Sequence, residues 1–221
     1  MAIDGPAASG KSTTARAVAE ALGFTHLDSG ALYRALTLVA LERLGPAEAW
    51  TPEAIVAEAR RLPVTVVPRG GGVDVTIGGR AVGDAIRSDA VTREVSRVAA
   101  MGPVRGFVNA LLRAAAANGG VVMDGRDIGT VVFPDAEVKV FLVADAEERA
   151  RRRLAEQGRP SDASTVKAEA GALVARDQHD RSREVAPLAQ APDAVRIDTS
   201  QLPFAEQVRR VIDLVRKAGG G

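Results

Sequence analysis

Residues 5–13 read Gly5-Pro6-Ala7-Ala8-Ser9-Gly10-Lys11-Ser12-Thr13 and fit the phosphate-loop pattern G-x-x-x-x-G-K-[ST]. Glycines let the backbone curl so that its amides, together with the N-terminus of the following helix, bind phosphate oxygens. Lys11 would then bridge the outer phosphates, and the Ser12 hydroxyl would ligate Mg²⁺. The stretch, called the phosphate loop below, predicts a nucleoside triphosphate site.

The residues on either side of the phosphate loop support this interpretation. A short apolar run, Met1-Ala2-Ile3, precedes it, and residues 14–22 carry a helical pattern that ends at Gly23. The order strand, loop, helix is the context that a phosphate loop requires. An ordinary glycine turn before a helix is the alternative, and this context makes it the weaker one.

Composition limits the class of protein. The chain has 221 residues, 46% of them hydrophobic, which is enough to bury a full core as one domain with insertions or as one large and one small domain. A net charge of +1 does not favour nucleic acid or an anionic membrane as a partner. The absence of cysteine excludes disulfides and thiolate metal sites, and two histidines leave little for zinc.

Short apolar runs alternate with helical patterns along the chain. Such βαβ alternation predicts an α/β fold, with a parallel sheet covered by helices on both faces. The five predicted strands are 2–3, 24–27, 121–123, 138–143 and 194–197. The predicted helices are roughly 11–22, 30–43, 103–117, 145–157 and 204–217.

Two segments interrupt the alternation. Residues 64–83 read as three short antiparallel strands with glycine-rich turns, which indicates an inserted lobe. Residues 158–187 are rich in charge and contain Gly158, Pro160 and Pro187, and we interpret them as a helical excursion that could move as a lid.

Polar residues follow three predicted strands, at the edge of the sheet where ligands of such folds bind. They are Asp4-Gly5, Asp28-Ser29-Gly30 and Asp124-Gly125-Arg126-Asp127. Asp124 could hold a Mg²⁺-bound water near the phosphate loop, and Arg126 could neutralise phosphoryl oxygens. The alternative for residues 124–127 is a turn with a helix-capping aspartate and a surface ion pair.

Two further groups allow two interpretations each. Arg34 could face an anion, or it could be a surface arginine on a helix capped by Asp28 or Ser29. The charged run 176–183 could be a solvated helix face with internal ion pairs, or a lid whose arginines close over phosphates in a water-excluded site.

Several blocks together resemble the bacterial cytidylate kinase family over essentially the whole chain. They are GPAASGKST (5–13), LDSGALYR (27–34), IRSDAV (86–91), MDGRDIGTVVFPDA (123–136), EERARRR (147–153) and RDQHDRSREVAPL (176–188). The resemblance implies transfer of a phosphoryl group from ATP to CMP or dCMP with Mg²⁺. It also implies a P-loop nucleoside monophosphate kinase fold: a three-layer α/β/α core with a five-stranded parallel sheet (1–45, 103–157 and 188–221), a nucleotide-binding insert (about 46–102) and a helical lid (about 158–187).

The resemblance also implies roles for single residues. The acceptor phosphate would meet Arg34, Arg87 and Arg105, and Ser29 would contact the nucleotide. Ser96, Arg176 and Asp180 would contact the cytosine, and Asp127 a sugar hydroxyl. Lys11, Arg126, Arg176, Arg181 and Arg183 would be the catalytic cations, and Arg149 or Arg153 would touch an ATP phosphate. His179 stands where relatives often carry another basic residue, so it is left out of the catalytic set.

Two rival functions are compatible with the phosphate loop alone. One is a kinase of another small acceptor, such as a different nucleoside monophosphate or shikimate. The other is a regulator or RNA-binding GTPase-like module, which would need an N-K-x-D motif that the sequence lacks. We expect CMP, dCMP and ATP as the bound molecules, no nucleic acid or membrane partner, and a monomer. The sequence shows no signal-peptide pattern or bilayer-spanning run, so we expect a cytoplasmic location.

Overall fold

The computed structural model of the protein describes residues 1–219, which divide into two compact units. Unit 1 consists of residues 1–22 and the part of the chain after residue 121, and unit 2 consists of residues 23–121. Within residues 1–219, no helix combines the length and the apolar character needed to cross a membrane.

Strands and helices alternate as the sequence predicts. The strands are β1 (Ala2–Asp4), β2 (Thr25–Asp28), β3 (Val64–Arg69), β4 (Gly72–Ile77), β5 (Arg80–Ala81), β6 (Val121–Gly125), β7 (Lys139–Val143) and β8 (Val195–Asp198). The α-helices are α1 (Lys11–Leu22), α2 (Ser29–Arg43), α3 (Pro52–Arg61), α4 (Asp89–Val98), α5 (Gly102–Ala115), α6 (Ala146–Glu156), α7 (Ala163–Arg181) and α8 (Phe204–Ala218).

The larger sheet has five strands in the order β2-β6-β1-β7-β8, and all five predicted strands belong to it. The crossover after β1 runs towards β2, and the crossover after β7 runs the opposite way, towards β8. Right-handed crossovers that run in opposite directions lie on opposite faces of a sheet, which produces three layers. The ligand site of such a sheet lies where the direction reverses, here at the carboxyl ends of β1 and β7.

The middle residues of β6 and β7 are apolar, because both faces of a parallel sheet are covered. Val122, Met123, Val140 and Leu142 are all buried. Register brings the polar ends of neighbouring strands level, with Ile3 opposite Asp124 on β6 and Asp4 opposite Gly125. The polar residues that follow β1 and β6 therefore start at the same edge, as the sequence predicts.

Unit 2 contains the predicted three-stranded antiparallel sheet, in the order β3-β4-β5. Two of its helices, α3 and α4, were not among the predicted elements. Each begins at a capping side chain: Thr51 Oγ1 accepts from Ala54 N, with Pro52 at the first turn, and Ser88 Oγ accepts from Val91 N. Both capping residues are sequence signals for the start of a helix, and the prediction from alternating apolar runs did not take them into account.

The segment predicted as a helical lid contains α7, which packs on α6. Val166, Ala170 and Leu173 of α7 form one buried cluster with Ala150 and Leu154 of α6 and with Ala7 of the phosphate loop. Burial of this apolar face positions α7, since a helix exposing such a face would be unstable in water. The helix is confirmed, and its movement as a lid stays a prediction, as do the boundaries of core, insert and lid.

Gly5 is the residue where the fold tolerates least change. Its φ is +147°, and a Cβ there would lie 2.1 Å from the backbone oxygen of Leu142 in β7. We expect Gly5→Ala to lower the free energy of unfolding by about 3 kcal/mol or more, since it adds backbone strain and a clash with a buried strand. Urea denaturation measures this.

The matched control is Gly106→Ala in α5, where a Cβ would meet open space. Alanine is the better helix former, so the control is expected to be more stable than the parent by about 0.5–1 kcal/mol. Equal stability of Gly5→Ala and the parent protein would contradict the close approach of residue 5 to β7.

Candidate active site

The phosphate loop joins the carboxyl end of β1 to the first turn of α1. The hydroxyl of Ser12 donates to Asp124 Oδ2 at 2.5 Å, and Asp124 is buried at the end of β6. A serine hydroxyl beside a strand-end carboxylate provides oxygen ligands of the kind that Mg²⁺ prefers. Within residues 1–219, no group of three or more acidic, histidine or cysteine side chains is placed to hold a metal ion. Ser12 and Asp124 therefore fit a Mg²⁺ ion.

Lys11 is buried inside its own loop. Its ammonium donates to the carbonyl oxygen of Pro6 at 2.5 Å and to Ser9 Oγ at 3.4 Å. The pKa of Lys11 is lowered to about 7, mainly by burial and also by the nearby Arg126, while the carboxylates around it act in the opposite direction. The negative charge of a bound triphosphate would favour the charged form of this lysine.

Two side-chain groups hold the phosphate loop from outside. Arg149 donates to the carbonyl of Ala7 and pairs with Asp177, which accepts from the amide of Ala7. Arg152 donates twice to Thr199, and the Thr199 hydroxyl lies 3.1 Å from the carbonyl of Val143 and 3.4 Å from that of Ser9, between which its one proton is shared. A buried loop needs such partners, because an unpaired backbone group away from water is costly.

Asp4 connects the phosphate loop to the turn after β6. Its two carboxylate oxygens accept from the amides of Ile128 and Gly129, at 2.9 and 2.7 Å. Those amides open a single π-helical turn, Ile128–Val132. Burial raises the pKa of Asp4 to about 6, although the two backbone hydrogen bonds act against the shift.

A buried carboxylate binds two of the predicted catalytic arginines. Asp180 is 1% exposed; its Oδ2 accepts from Arg126 Nε at 3.1 Å, and its Oδ1 accepts from Arg183. The structure therefore brings Arg126, from the block 123–136, to Asp180 and Arg183, which lie three residues apart in the block 176–188. Each carboxylate oxygen can accept more than one hydrogen bond, so these ion pairs leave capacity for a ligand donor.

The remaining candidates of unit 1 differ in exposure. Asp127 is buried directly before the π-helical turn, and its carbonyl accepts from Val131 N. Arg176 is half-buried on α7, and Arg181, the last residue of that helix, is exposed. Arg153 pairs with Glu169 at 3.0 Å, across α6 and α7.

Unit 2 carries the other candidates for acceptor binding. Asp28 caps α2 by accepting from Ala31 N, and Ser29 begins that helix and is buried. Arg34 lies on α2, where it donates to the carbonyl of Ile86 at 3.2 Å and to Thr92 Oγ1 at 2.9 Å. Arg34 is thus held by the segment 86–92 and is not a freely solvated surface arginine.

Arg105 of α5 is the most buried arginine of unit 2. It is 3% exposed, donates to the carbonyl of Ala99 at 2.9 Å and lies over the ring of Tyr33, 5.3 Å from its centre. Arg87 is largely exposed and lies 3.9 Å from the carboxylate of Asp28, and Ser96 is half-buried on α4. The ring of Tyr33 and the carbonyl of Ala99 therefore hold this guanidinium in a fixed, buried position.

Sequence reasoning gave no role to three residues that this geometry makes prominent. Asp177 accepts from the backbone of the phosphate loop, and Arg152 holds Thr199, whose hydroxyl lies 3.4 Å from the carbonyl of Ser9. Asp177 lies in a charged run where only tertiary structure singles out one carboxylate. The predicted ATP contact of Arg149 or Arg153 stays a prediction.

A phosphate loop on a parallel α/β sheet, with a strand-end carboxylate beside its serine and a buried lysine within it, defines a P-loop nucleotide-binding protein. A sequence profile described as cytidylate kinase matches residues 1–217. The chain belongs to the cytidylate kinase family.

Curated relatives agree over the full length. The chain is 47% identical over 223 residues to "Cytidylate kinase" of Geobacillus sp. (strain WCH70), covering 100% of this chain and 97% of the relative. It is 45% identical over 225 residues to that of Salinibacter ruber (strain DSM 13855 / M31), covering 100% and 98%. A solved gluconokinase from Sinorhizobium meliloti 1021 aligns over 99% of this chain and 93% of its own, with 21% identity and a TM-score of 0.45.

The raised pKa of Asp4 predicts a pH dependence of stability. Because the folded state binds this proton more tightly than the unfolded chain, the contribution of Asp4 to stability falls as pH rises from about 4 to about 6. A shift of about two pKa units corresponds to about 3 kcal/mol. Relative to Asp4→Asn, which has no such proton, the parent protein is expected to lose about that much free energy of unfolding across the window.

Denaturant unfolding of both proteins at several pH values measures the difference. Parallel pH profiles for the parent protein and Asp4→Asn would contradict the buried, raised-pKa state of this carboxyl group.

Proposed function

We propose that this protein transfers the γ-phosphoryl group of ATP to CMP or dCMP, giving CDP or dCDP and ADP, and so acts in pyrimidine nucleotide metabolism. The observation that carries the proposal is the buried phosphate loop, with Lys11 inside it and Ser12 on the Asp124 carboxylate, in a chain that matches the cytidylate kinase family over residues 1–217.

The acceptor oxygen needs no general base. A phosphate oxygen of CMP is already ionised at neutral pH, so catalysis consists of positioning and charge neutralisation. Lys11 would bind oxygens of the outer ATP phosphates once these replace the carbonyl of Pro6 as its partner. Arg126 would neutralise the transferring group, and Arg176, Arg181 and Arg183 would add positive charge and exclude water.

Ser12 and Asp124 would hold a Mg²⁺ ion, Ser12 directly and Asp124 through a water molecule. When bound, the ion supplies positive charge to the phosphate oxygens that the loop amides contact. The hydrogen bond between Ser12 and Asp124 supports this assignment, because it brings the only two proposed protein partners of the ion within 2.5 Å of each other.

The acceptor would be recognised by the residues that the family resemblance assigns to it. Arg34, Arg87 and Arg105 would bind its phosphate, Asp127 a sugar hydroxyl, and Ser29, Ser96, Arg176 and Asp180 the rest of the nucleotide. Asp180 would accept from the cytosine amine at a position where uracil presents a carbonyl, which the carboxylate would repel. Its pairing with Arg126 and Arg183 fixes its orientation.

The protein is expected to act as a monomer in the cytoplasm, without a nucleic-acid partner. The near-neutral net charge of +1 supports the last point, because the binding of a phosphate backbone needs clustered positive charge. A kinase of another small acceptor is the remaining rival, and an acceptor screen separates the two.

Lys11→Met tests the phosphate loop. Removing the ammonium is expected to lower kcat by about a thousandfold. The fold should be retained, because methionine fills the buried space without an unpaired charge. Coupled ADP formation measures turnover, and circular dichroism reports folding. Lys217→Met, at an exposed position of α8, is the control and should match the parent. Turnover of Lys11→Met near that of the parent would contradict the proposed role of the phosphate loop.

Asp180→Asn tests the acceptor. The parent should use CMP and dCMP far better than UMP, AMP or shikimate. The variant should lose about a hundredfold or more in kcat/KM for CMP and much of its preference over UMP, since an amide can also donate to a uracil carbonyl. Glu184→Gln, an exposed neighbour, should keep the parent ranking. Any parent ranking with another acceptor first rejects the proposed substrate.

A further inference from the structure

Ala8 has a backbone conformation that needs external support. Its φ is +56°, in the left-handed region that residues with a Cβ rarely adopt. Strained conformations of this kind persist where surrounding contacts over-determine them. The neighbouring residue, Ala7, is held at both of its polar backbone groups, so the support of Ala8 begins one residue earlier.

A single buried ion pair makes both contacts to Ala7. Asp177 Oδ1 accepts from Ala7 N at 3.1 Å, and Arg149 NH1 donates to the Ala7 carbonyl at 2.9 Å. Arg149 NH1 and Asp177 Oδ2 lie 2.5 Å apart, and their side chains are 6% and 9% exposed. The pair is neutral as a whole, so it holds the loop without placing net negative charge beside a phosphate site.

The contact of Arg149 with the Ala7 carbonyl also determines the direction of the Ala8 N–H. In a trans peptide the carbonyl and the N–H point in opposite directions. Since Arg149 draws the carbonyl of Ala7 towards α6, the N–H of Ala8 in the same peptide must point away from Arg149. In a phosphate loop, the amides on the inner side are the phosphate ligands.

The attachment of α7 to α6 does not require this ion pair. Arg153 and Glu169 also join these helices, at 3.0 Å, and the apolar side chains of Ala150, Leu154, Val166 and Leu173 pack between them. Buried ion pairs often add nothing to stability relative to an apolar pair of similar volume. Helix packing alone therefore does not explain why a charged pair lies against Ala7.

We propose that Asp177 and Arg149 are positioning residues for the donor phosphates. They hold the Ala7–Ala8 peptide so that strained Ala8 keeps its amide directed at the bound triphosphate, and they connect α7 to the phosphate loop. This rests on the proposed function only in that the loop binds ATP; the identity of the acceptor does not enter it.

Asp177→Asn and Arg149→Met test the proposal. Both should raise the KM for ATP, lowering kcat/KM for ATP by about tenfold to a hundredfold, while the KM for CMP stays within about twofold. Direct calorimetric titration with ADP should show the same weakening in the absence of any acceptor. Glu147→Gln is the control: it breaks an exposed ion pair of α6, with Arg151, and should leave ADP affinity unchanged.

A second variant separates positioning from mere loss of stability. Ala8→Gly removes the cost of a positive φ, so Asp177→Asn combined with Ala8→Gly should recover at least about threefold of the lost ADP affinity. Destabilised helix packing would show no such recovery. ADP affinity of Asp177→Asn equal to or tighter than that of the parent, or no recovery by glycine, would overturn the proposal. Failure of the parent to phosphorylate CMP would instead reject the proposed function.

Discussion

The close approach of Gly5 to the backbone of β7 sets the path of the chain as it leaves the sheet. A Cβ at this position would lie 2.1 Å from the oxygen of Leu142, so the phosphate loop can begin there only at a residue without a side chain. The loop then curls over the carboxyl end of β1, beside the end of β6. Ser12 meets Asp124 there because the register of β1 and β6 brings the two strand ends level.

Each charged side chain buried around this loop has a hydrogen-bond or ion-pair partner. Asp4 faces two backbone amides, Lys11 faces its own loop carbonyl, and Arg149 pairs with Asp177. Each of these groups would be costly to bury alone, and each has a partner with defined geometry. An anionic ligand enters such a site by exchanging partners with groups that are already oriented, which reduces reorganisation during the reaction.

The sequence was sufficient for the local and periodic features. The five strands of the parallel sheet, the antiparallel insert and the bounds of α1 (11–22) follow from apolar runs, turn residues and the phosphate-loop motif. The helices α3 and α4 were not predicted, because their short amphipathic patterns lie on either side of the stronger strand pattern at 64–83. Their caps at Thr51 and Ser88 could have revealed them.

The position of a candidate residue could be predicted where a motif determines it. Lys11, Ser12 and Asp124 are of this kind. The contact of Arg149 with Asp177 joins residues 28 positions apart, and that of Arg126 with Asp180 joins residues 54 positions apart. Arg183 is one of several arginines near Asp180 in the sequence, and the structure pairs this one with it. No periodicity encodes such a choice, since it depends on how α6, α7 and β6 pack.

The most direct measurement of the central claim follows the transferred group itself. The protein is incubated with CMP and with ATP labelled in its γ-phosphoryl group, and the products are separated. The label should appear in the outer phosphate of CDP, with little in inorganic phosphate, because a positioned acceptor oxygen replaces water as the nucleophile. Label found mainly in inorganic phosphate, or none in CDP under conditions where ATP is consumed, would contradict the account.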